Sequence, residues 1–303
     1  MKPLSIGVTT RNRPDALCRC LRSIASAFPS ADVLVFDDAS DVPVSRVLAD
    51  AGVAPGVRVL RDDAGAGYIA GRNSLVTQAR HEIVLLLDDD TELLGAAAVS
   101  RGVAVLDADR TLGAVAFAQA EADGRPWPAT MQPGRSSGPA YVPCFIGFAH
   151  MLRRSVFLAL GGYRARFVFY GEEKDFCLRM LEAGYRVVYL PDALVAHVPA
   201  PQGRDARRYV RYAVRNDCLG TLYNDPWPLV VAGLPVRLWR YRRMAAGIPG
   251  GDRGGFTWLV HELGRALWTL PGQRRAVRWS TVREWQRAKK APAYRAQAEA
   301  VPV

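Results

Sequence analysis

Short apolar runs alternate with stretches of helical periodicity through the first two thirds of the chain. Residues 4 to 10, LSIGVTT, predict a first strand. Leu17, Leu21 and Ile24 behind Pro14 predict a helix through Ser26, with proline at a favoured early position. VLVF at 33–36 and VRVL at 57–60 predict two further strands. A helix from Arg72 to Ala79 follows the glycine-rich stretch Ala64 to Gly71. Ile83 to Leu87, five apolar residues in a row, predict a strand buried on both faces. GAVAFA at 113–118 predicts another strand, and residues 121 to 139, rich in Gly, Pro and Ser, a loop. Residues 142 to 152 are apolar and expected to be buried, and a helix from Arg154 to Leu160 ends at Gly161-Gly162. Phe176, Met180 and Leu181 mark a helix face closed by Gly184, and a strand at 186–190 precedes His197. Strands alternating with helices predict an α/β fold with a mainly parallel sheet covered on both faces.

Two of the predicted strands run into acidic clusters: Asp37-Asp38 after VLVF, and Asp88-Asp89-Asp90 after IVLLL. In such a sheet both clusters fall on the C-terminal edge, where open α/β sheets bind ligands. Adjacent carboxylates repel one another, and a divalent cation offsets that repulsion. A solvated acidic turn is the alternative, and Asp and Ser do favour turns. The glycines at 65, 67 and 71 match neither a phosphate loop nor a dinucleotide fingerprint.

Composition changes the picture at the C-terminal end. The chain has 303 residues and a net charge of +11. Residues 1–200 carry 21 basic and 22 acidic residues, a net of −1, whereas residues 201–303 carry 19 and 7, a net of +12. That asymmetry predicts an anionic partner for the last third. The five cysteines show no metal-knuckle spacing, and reduced thiols in the cytoplasm are expected. Arg11, Arg13 and Arg19 interrupt any signal-peptide core, and no apolar run is long enough to span a bilayer.

Six motifs in order then resemble glycosyltransferase family 2, inverting nucleotide-sugar transferases of the GT-A fold: VTTRNRP, VFDDAS, GYIAGRNSL, LLLDDDT, the segment ending LALGGY, and FYGEEKDFCLRMLEAGYRVVYLP with AHV behind it. The resemblance covers residues 4 to 200. It implies a GT-A type, Rossmann-like, mainly parallel sheet flanked by helices at 1–200, and the charge and patterning of 201–303 predict a basic helical extension behind it. It implies that Thr9, Arg11 and Asp38 contact the donor nucleotide, that Arg72 stacks on or hydrogen-bonds its base, and that Asp88, with Asp89 as a helper, meets the ribose side. Asp90 would bind Mn²⁺ or Mg²⁺, with His197 as a further ligand, and the metal would bridge the donor diphosphate. Glu173, ranked ahead of Glu172, would be the base. It stands where the family usually has aspartate, a departure that moves the carboxylate by about 1 Å. Asp175 reads as structural.

In the last third, residues 204–216 predict a basic amphipathic helix. Arg215-Asn216 resembles a basic turn that follows the core in some members transferring rhamnose-like sugars. PVRLWRYRRM at 235–244 and RRAVRWSTVREWQRAKK at 274–290 interleave Arg with Trp, the pattern of helices lying in a membrane interface. The expected partners are a nucleotide-sugar donor, a saccharide or lipid-linked acceptor and an anionic membrane surface. The acidic donor site argues against nucleic acid. Two rival functions are a nucleotidyltransferase, whose glycine-rich triphosphate loop is missing from VTTRNRP, and a non-catalytic nucleotide- or polysaccharide-binding relative.

Overall fold

The computed structural model describes residues 2–53, 56–199 and 205–295. The expected boundary at residue 200 and Arg204, the first residue of the expected basic helix, lie outside the described residues. Strands β1 (Leu4–Thr10), β2 (Asp32–Asp38), β3 (Arg58–Asp62), β4 (Ile83–Asp88), β5 (Thr91–Glu92), β6 (Leu112–Ala120), β7 (Ala140–Val142), β8 (Ala149–Arg153) and β9 (Arg186–His197) form one sheet. Its order is β3-β2-β1-β4-β8-β6-β9-β5, with β7 paired to β9 off this path. The β3-β2-β1-β4 half is parallel. Beyond β4 the pairing is mixed, with β8 antiparallel to both neighbours and β6 parallel to β9.

Helices cover both faces: α1 (Pro14–Ala27), α2 (Val44–Ala51), α3 (Tyr68–Gln78), α4 (Ala97–Ala108), α5 (Arg154–Ala159) and α6 (Glu172–Glu182). Burial on both sides explains the unbroken apolar run of β4. Ile83, Leu85 and Leu87 join the core cluster beneath α1 and α4, and Val84 and Leu86 join the one beneath α3 and α6.

Two boundaries differ from expectation for local reasons. Helix α3 starts at Tyr68, so Gly71 lies inside it. A Cβ at Gly71 would meet the Phe36 ring at 2.5 Å, so glycine there lets the helix sit directly on β2. Strand β9 continues through Pro191 to His197, and its register against β6 jumps from Phe117↔Leu190 to Ala118↔Leu194. The proline sits in that bulge, where it removes no ladder hydrogen bond.

The last third is helical: α7 (Ala206–Asn224), α8 (Trp227–Ala246), α9 (Gly255–Gln273) and α10 (Trp279–Ala288). Asp205 caps α7, its carboxylate accepting the Arg207 and Arg208 backbone N–H groups. Arg215 and Asn216 are therefore helical and buried rather than a turn. Leu219, Leu222 and Tyr223 of α7 and Trp285 of α10 belong to the same core cluster as α3 and α6.

Candidate active site

The C-terminal ends of β1, β2 and β4 meet in register, Thr9 opposite Asp88 and Thr10 opposite Asp37. The two aspartates of β2 part ways. Asp37 is fully buried and accepts the N–H groups of Ser40 and Val44, both at 3.0 Å, and the Arg61 guanidinium. Burial opposes its charge, but these bonds prevail and hold its pKa below the usual carboxylate range. Asp38 instead reaches the edge. It accepts the Gly67 N–H at 2.8 Å, fixing the entry to α3, and Arg11 stands 3.7 Å away, half exposed.

The aspartate triplet divides in the same way. Asp88 accepts from Arg72 at 2.7 Å. Asp89 turns inward, taking Thr10 Oγ1 at 2.7 Å and Arg13 at 3.1 Å. Burial pushes Asp89 up to about 6. Asp90 accepts from the same Arg13 at 3.2 Å through Oδ2. Its Oδ1 is buried and accepts no hydrogen bond among the described residues. Burial, and Asp88 next to it, raise the Asp90 pKa, while His197 and Arg13 oppose the rise.

His197 Nε2 lies 3.6 Å from that orphaned oxygen. Strand β5 sets the distance by pairing Thr91 with His197. The imidazole is gripped on both faces, by Trp127 at 5.2 Å and Phe148 at 5.1 Å. Its Nδ1 is 2.7 Å from Gln119 Oε1. The Gln119 amide nitrogen donates to the Met131 carbonyl, so Oε1 accepts and the ring proton belongs on Nδ1. The Nε2 lone pair then faces a carboxylate oxygen across a short gap, an arrangement suited to a cation between them. Among the described residues no group of three His, Cys, Asp or Glu side chains could hold a metal ion. Nothing local in the sequence marks Gln119 or Trp127, or shows that Arg13 of VTTRNRP reaches Asp89 and Asp90, because these side chains act on the site from distant parts of the chain.

Arg72 ties this edge to helix α6. It is 2% exposed. One terminal nitrogen donates to Glu172 at 2.9 Å, and the other to Asp88 at 2.7 Å and the Gly147 carbonyl at 2.8 Å. Burial opposes its charge, but Asp88, Glu172 and Glu173 together raise its pKa. The guanidinium expected to stack on or hydrogen-bond a nucleotide base is thus committed to two carboxylates, and the Tyr68 ring lies over it at 4.8 Å.

Glu172 and Glu173 open α6, where the helix dipole favours acidic side chains. Glu172 is sealed from solvent and also accepts from Tyr68 Oη at 3.3 Å. Glu173 keeps 18% of its side chain exposed, with one oxygen 3.9 Å from Arg72. Burial, then Glu173, push Glu172 well above the usual range, and burial also raises Glu173 against the pull of Arg72. A Cβ at Gly147 would collide with the Glu173 carboxylate and crowd both Arg72 nitrogens at 3.0 and 3.1 Å, so only glycine leaves this space open. Asp175 faces away, bound by Arg164 at 2.6 Å, Arg179 at 2.9 Å and Asn224 at 2.7 Å.

The sequence model of the family described as Glycosyl transferase family 2 matches residues 5–161. Over 266 residues, 82% of the chain, the sequence is 27% identical to the pre-mycofactocin glycosyltransferase of Mycobacterium tuberculosis. The chain spans about half the length of that relative, 54%. Among solved structures it resembles S. aureus TarS 1–349, with a TM-score of 0.62 and 15% identity over 95% of this chain and 88% of that one. TarS has also been solved with UDP-GlcNAc. The chain likewise resembles the mannosyltransferase PcManGT from Pyrobaculum calidifontis, solved with GDP-Man and Mn²⁺, with a TM-score of 0.58 and 17% identity over 94% and 83%. At these identities the likeness is one of fold.

Proposed function

The chain belongs to glycosyltransferase family 2 and has its GT-A fold, and from that premise we propose that it transfers a sugar from a UDP- or dTDP-type donor to a hydroxyl of a saccharide or lipid-linked acceptor, with inversion. The observation that carries the reading is the bridge made by Arg72 between Asp88 on the sheet edge and Glu172 beside Glu173 on α6. One buried cation thereby fixes the distance between a donor-side edge and a pair of carboxylates, and fixed placement of reactants is a large part of such catalysis.

In this reading Thr9, Arg11 and Asp38 receive the nucleotide, and Asp88 meets its ribose side with Asp89 held behind it. Asp90 and His197 fit a divalent cation, Mn²⁺ or Mg²⁺, because the buried Asp90 oxygen lacks a donor and the imidazole Nε2 faces it. Such an ion would supply charge that offsets the negative charge of the leaving nucleotide. Of the two glutamates, Glu172 is sealed and bound to Arg72 and Tyr68, whereas Glu173 is the one an acceptor hydroxyl can reach. Glu173 takes the hydroxyl proton as that oxygen attacks the anomeric carbon, and its raised affinity for protons makes it a stronger base than an ordinary glutamate. Arg72 acts by orienting both carboxylates.

Melting curves with a panel of nucleotide diphosphates and Mn²⁺ test the donor assignment. A cognate nucleotide at a hundredfold excess over Kd is expected to add about 2.7 kcal/mol of stability. A panel with no nucleotide-dependent shift would sink the proposal.

The reading extends to residues 201–303 as the part that meets an anionic membrane surface near a lipid-linked acceptor. This corresponds to a peripheral position on the inner face of the cytoplasmic membrane. Helix α8 exposes Trp227, Val231, Val236 and Trp239 to solvent, with Val231 71% exposed, and α9 exposes Val260, Leu267 and Trp268, the last 90% exposed. Arg274 lies over Trp227 at 4.1 Å and Arg243 over Trp239 at 5.0 Å. Among the described residues no helix is long and apolar enough to cross a membrane, and exposed Trp beside Arg is the pattern of helices that lie in a membrane interface. Each basic residue near anionic lipid adds about 1 kcal/mol. The full chain is expected to co-sediment with anionic vesicles at low salt and to lose most of that binding in the Trp239→Ser/Trp268→Ser variant. Recovery of the full chain in the supernatant refutes the proposal.

A further inference from the structure

The segment before α6 is held in a strained form. Val168 has φ +61° and ψ −46°, and the Phe169 N–H reaches the Phe167 carbonyl at 2.5 Å. This is a γ-turn of the rare, strained hand, centred on a β-branched residue. Tyr170 follows at φ +65° and Gly171 at φ +89°. Two non-glycine residues at positive φ within three positions persist only where the surroundings impose them.

The constraint comes from the last third of the chain. Asn216 of α7 is 1% exposed, and its side-chain nitrogen lies 2.8, 2.8 and 2.6 Å from the carbonyl oxygens of Phe167, Phe169 and Tyr170. Arg215 donates to Asn216 Oδ1 at 2.8 Å and to the Arg166 carbonyl at 3.0 Å, which sets the amide's orientation. Glu262 of α9 in turn fixes Arg215 at 2.9 Å. On its other side the loop touches the site. The Tyr170 N–H donates to Tyr68 Oη at 2.8 Å, and that hydroxyl donates to Glu172 at 3.3 Å. Gly171, the N-cap of α6 at positive φ, packs closely on the clamp, since a Cβ there would lie 3.1 Å from the Cβ of Asn216 and press on it.

We infer that Asn216 is a positioning residue for the transfer step: by clamping three loop carbonyls it holds the γ-turn and thereby sets the first turn of α6, which carries Glu173. The inference rests on Glu173 as the base. It gives α7 a part in the chemistry, although the residue touches neither donor nor acceptor.

Steady-state transfer kinetics and calorimetry of nucleotide with Mn²⁺ test it on the full chain. Asn216→Ala is expected to lower kcat about ten- to a hundredfold, the scale of a small misplacement of a catalytic group. Donor affinity should stay within about twofold, since β1, β2 and β4 are untouched. Val168→Gly placed in the Asn216→Ala chain should restore part of kcat, because glycine adopts the turn without the clamp. A residue that merely supports the fold would lose donor affinity and kcat together and would not be rescued. If Asn216→Ala does not fold, Gly171→Ala disturbs the same contact from the loop side and should give the same kcat-only loss. An unchanged kcat in either folded variant overturns the inference. In the Glu173→Gln background Asn216→Ala should have no further effect. Should Glu173→Gln alone keep the full rate, the base assignment fails, whereas a kcat effect of Asn216→Ala in the parent chain would stand apart from it.

Discussion

Glu173→Gln is expected to lower sugar transfer about a thousandfold while leaving nucleotide binding nearly intact. General bases contribute roughly 10² to 10⁴ in rate. Glu173 is the partly exposed member of a carboxylate pair whose other member is sealed behind Arg72 and Tyr68. The amide keeps the volume and a hydrogen-bonding oxygen but cannot take a proton. Burial holds Glu173 above the ordinary glutamate range, so the parent rate should fall as the pH drops through that raised value. That limb of the pH profile should vanish from the residual activity of the variant. Glu172→Gln should be milder, since it removes the repulsion that Glu172 shares with Glu173 and keeps an oxygen for Arg72. Equal loss of donor affinity and rate in Glu173→Gln, or an acidic limb that survives the substitution, would remove Glu173 from the role.

Asp90→Asn should abolish the metal dependence of nucleotide binding, measured by calorimetry of UDP or dTDP with and without Mn²⁺. The lost charge stabilisation at a leaving diphosphate is worth several kcal/mol, or about a thousandfold in kcat/KM. The same substitution should raise Tm in the absence of metal. Asp90 Oδ1 is a buried carboxylate oxygen with no donor among the described residues, and its charge sits beside Asp88. Burying such a group unsatisfied costs stability, and the neutral amide relieves most of that cost. Higher Tm without metal and weaker nucleotide binding with it are the paired signature of a site strained to receive a cation. Unaltered Mn²⁺ dependence would exclude Asp90 as the ligand.

The parts of this architecture legible in the sequence are those whose cause is local. Strand β4 lies where its unbroken apolar run puts it, because burial on both faces leaves no polar position before Asp88 to blur its end. The acidic clusters fall on one sheet edge, as parallel pairing requires. The start of α3 and the length of β9 were not legible, because Gly71 and Pro191 usually stop an element and here serve a close packing contact and a bulge. At the site, the residue types were readable but their division of labour was not. Asp37 and Asp38 are neighbours in sequence, yet one caps a turn inside the protein and the other faces the edge. Arg72 could be picked out, but its pairing with Glu172, a hundred positions away, is a tertiary fact. The same holds for Gln119 and Trp127, which carry no motif of their own, and for Asn216, whose pairing with Arg215 stands out in the sequence but whose hold on the Phe167, Phe169 and Tyr170 carbonyls does not.

The clamp made by Asn216 also limits how this chain can be recombined. An exchange of specificity between relatives invites a crossover after β9, where the sheet ends. A crossover there would strip the Phe167, Phe169 and Tyr170 carbonyls of their shared donor and open the core where Leu219, Leu222 and Tyr223 close it. The unit that can be transplanted whole runs on through α10, since Glu262 of α9 holds Arg215 behind the clamp and Trp285 of α10 shares the core with α7.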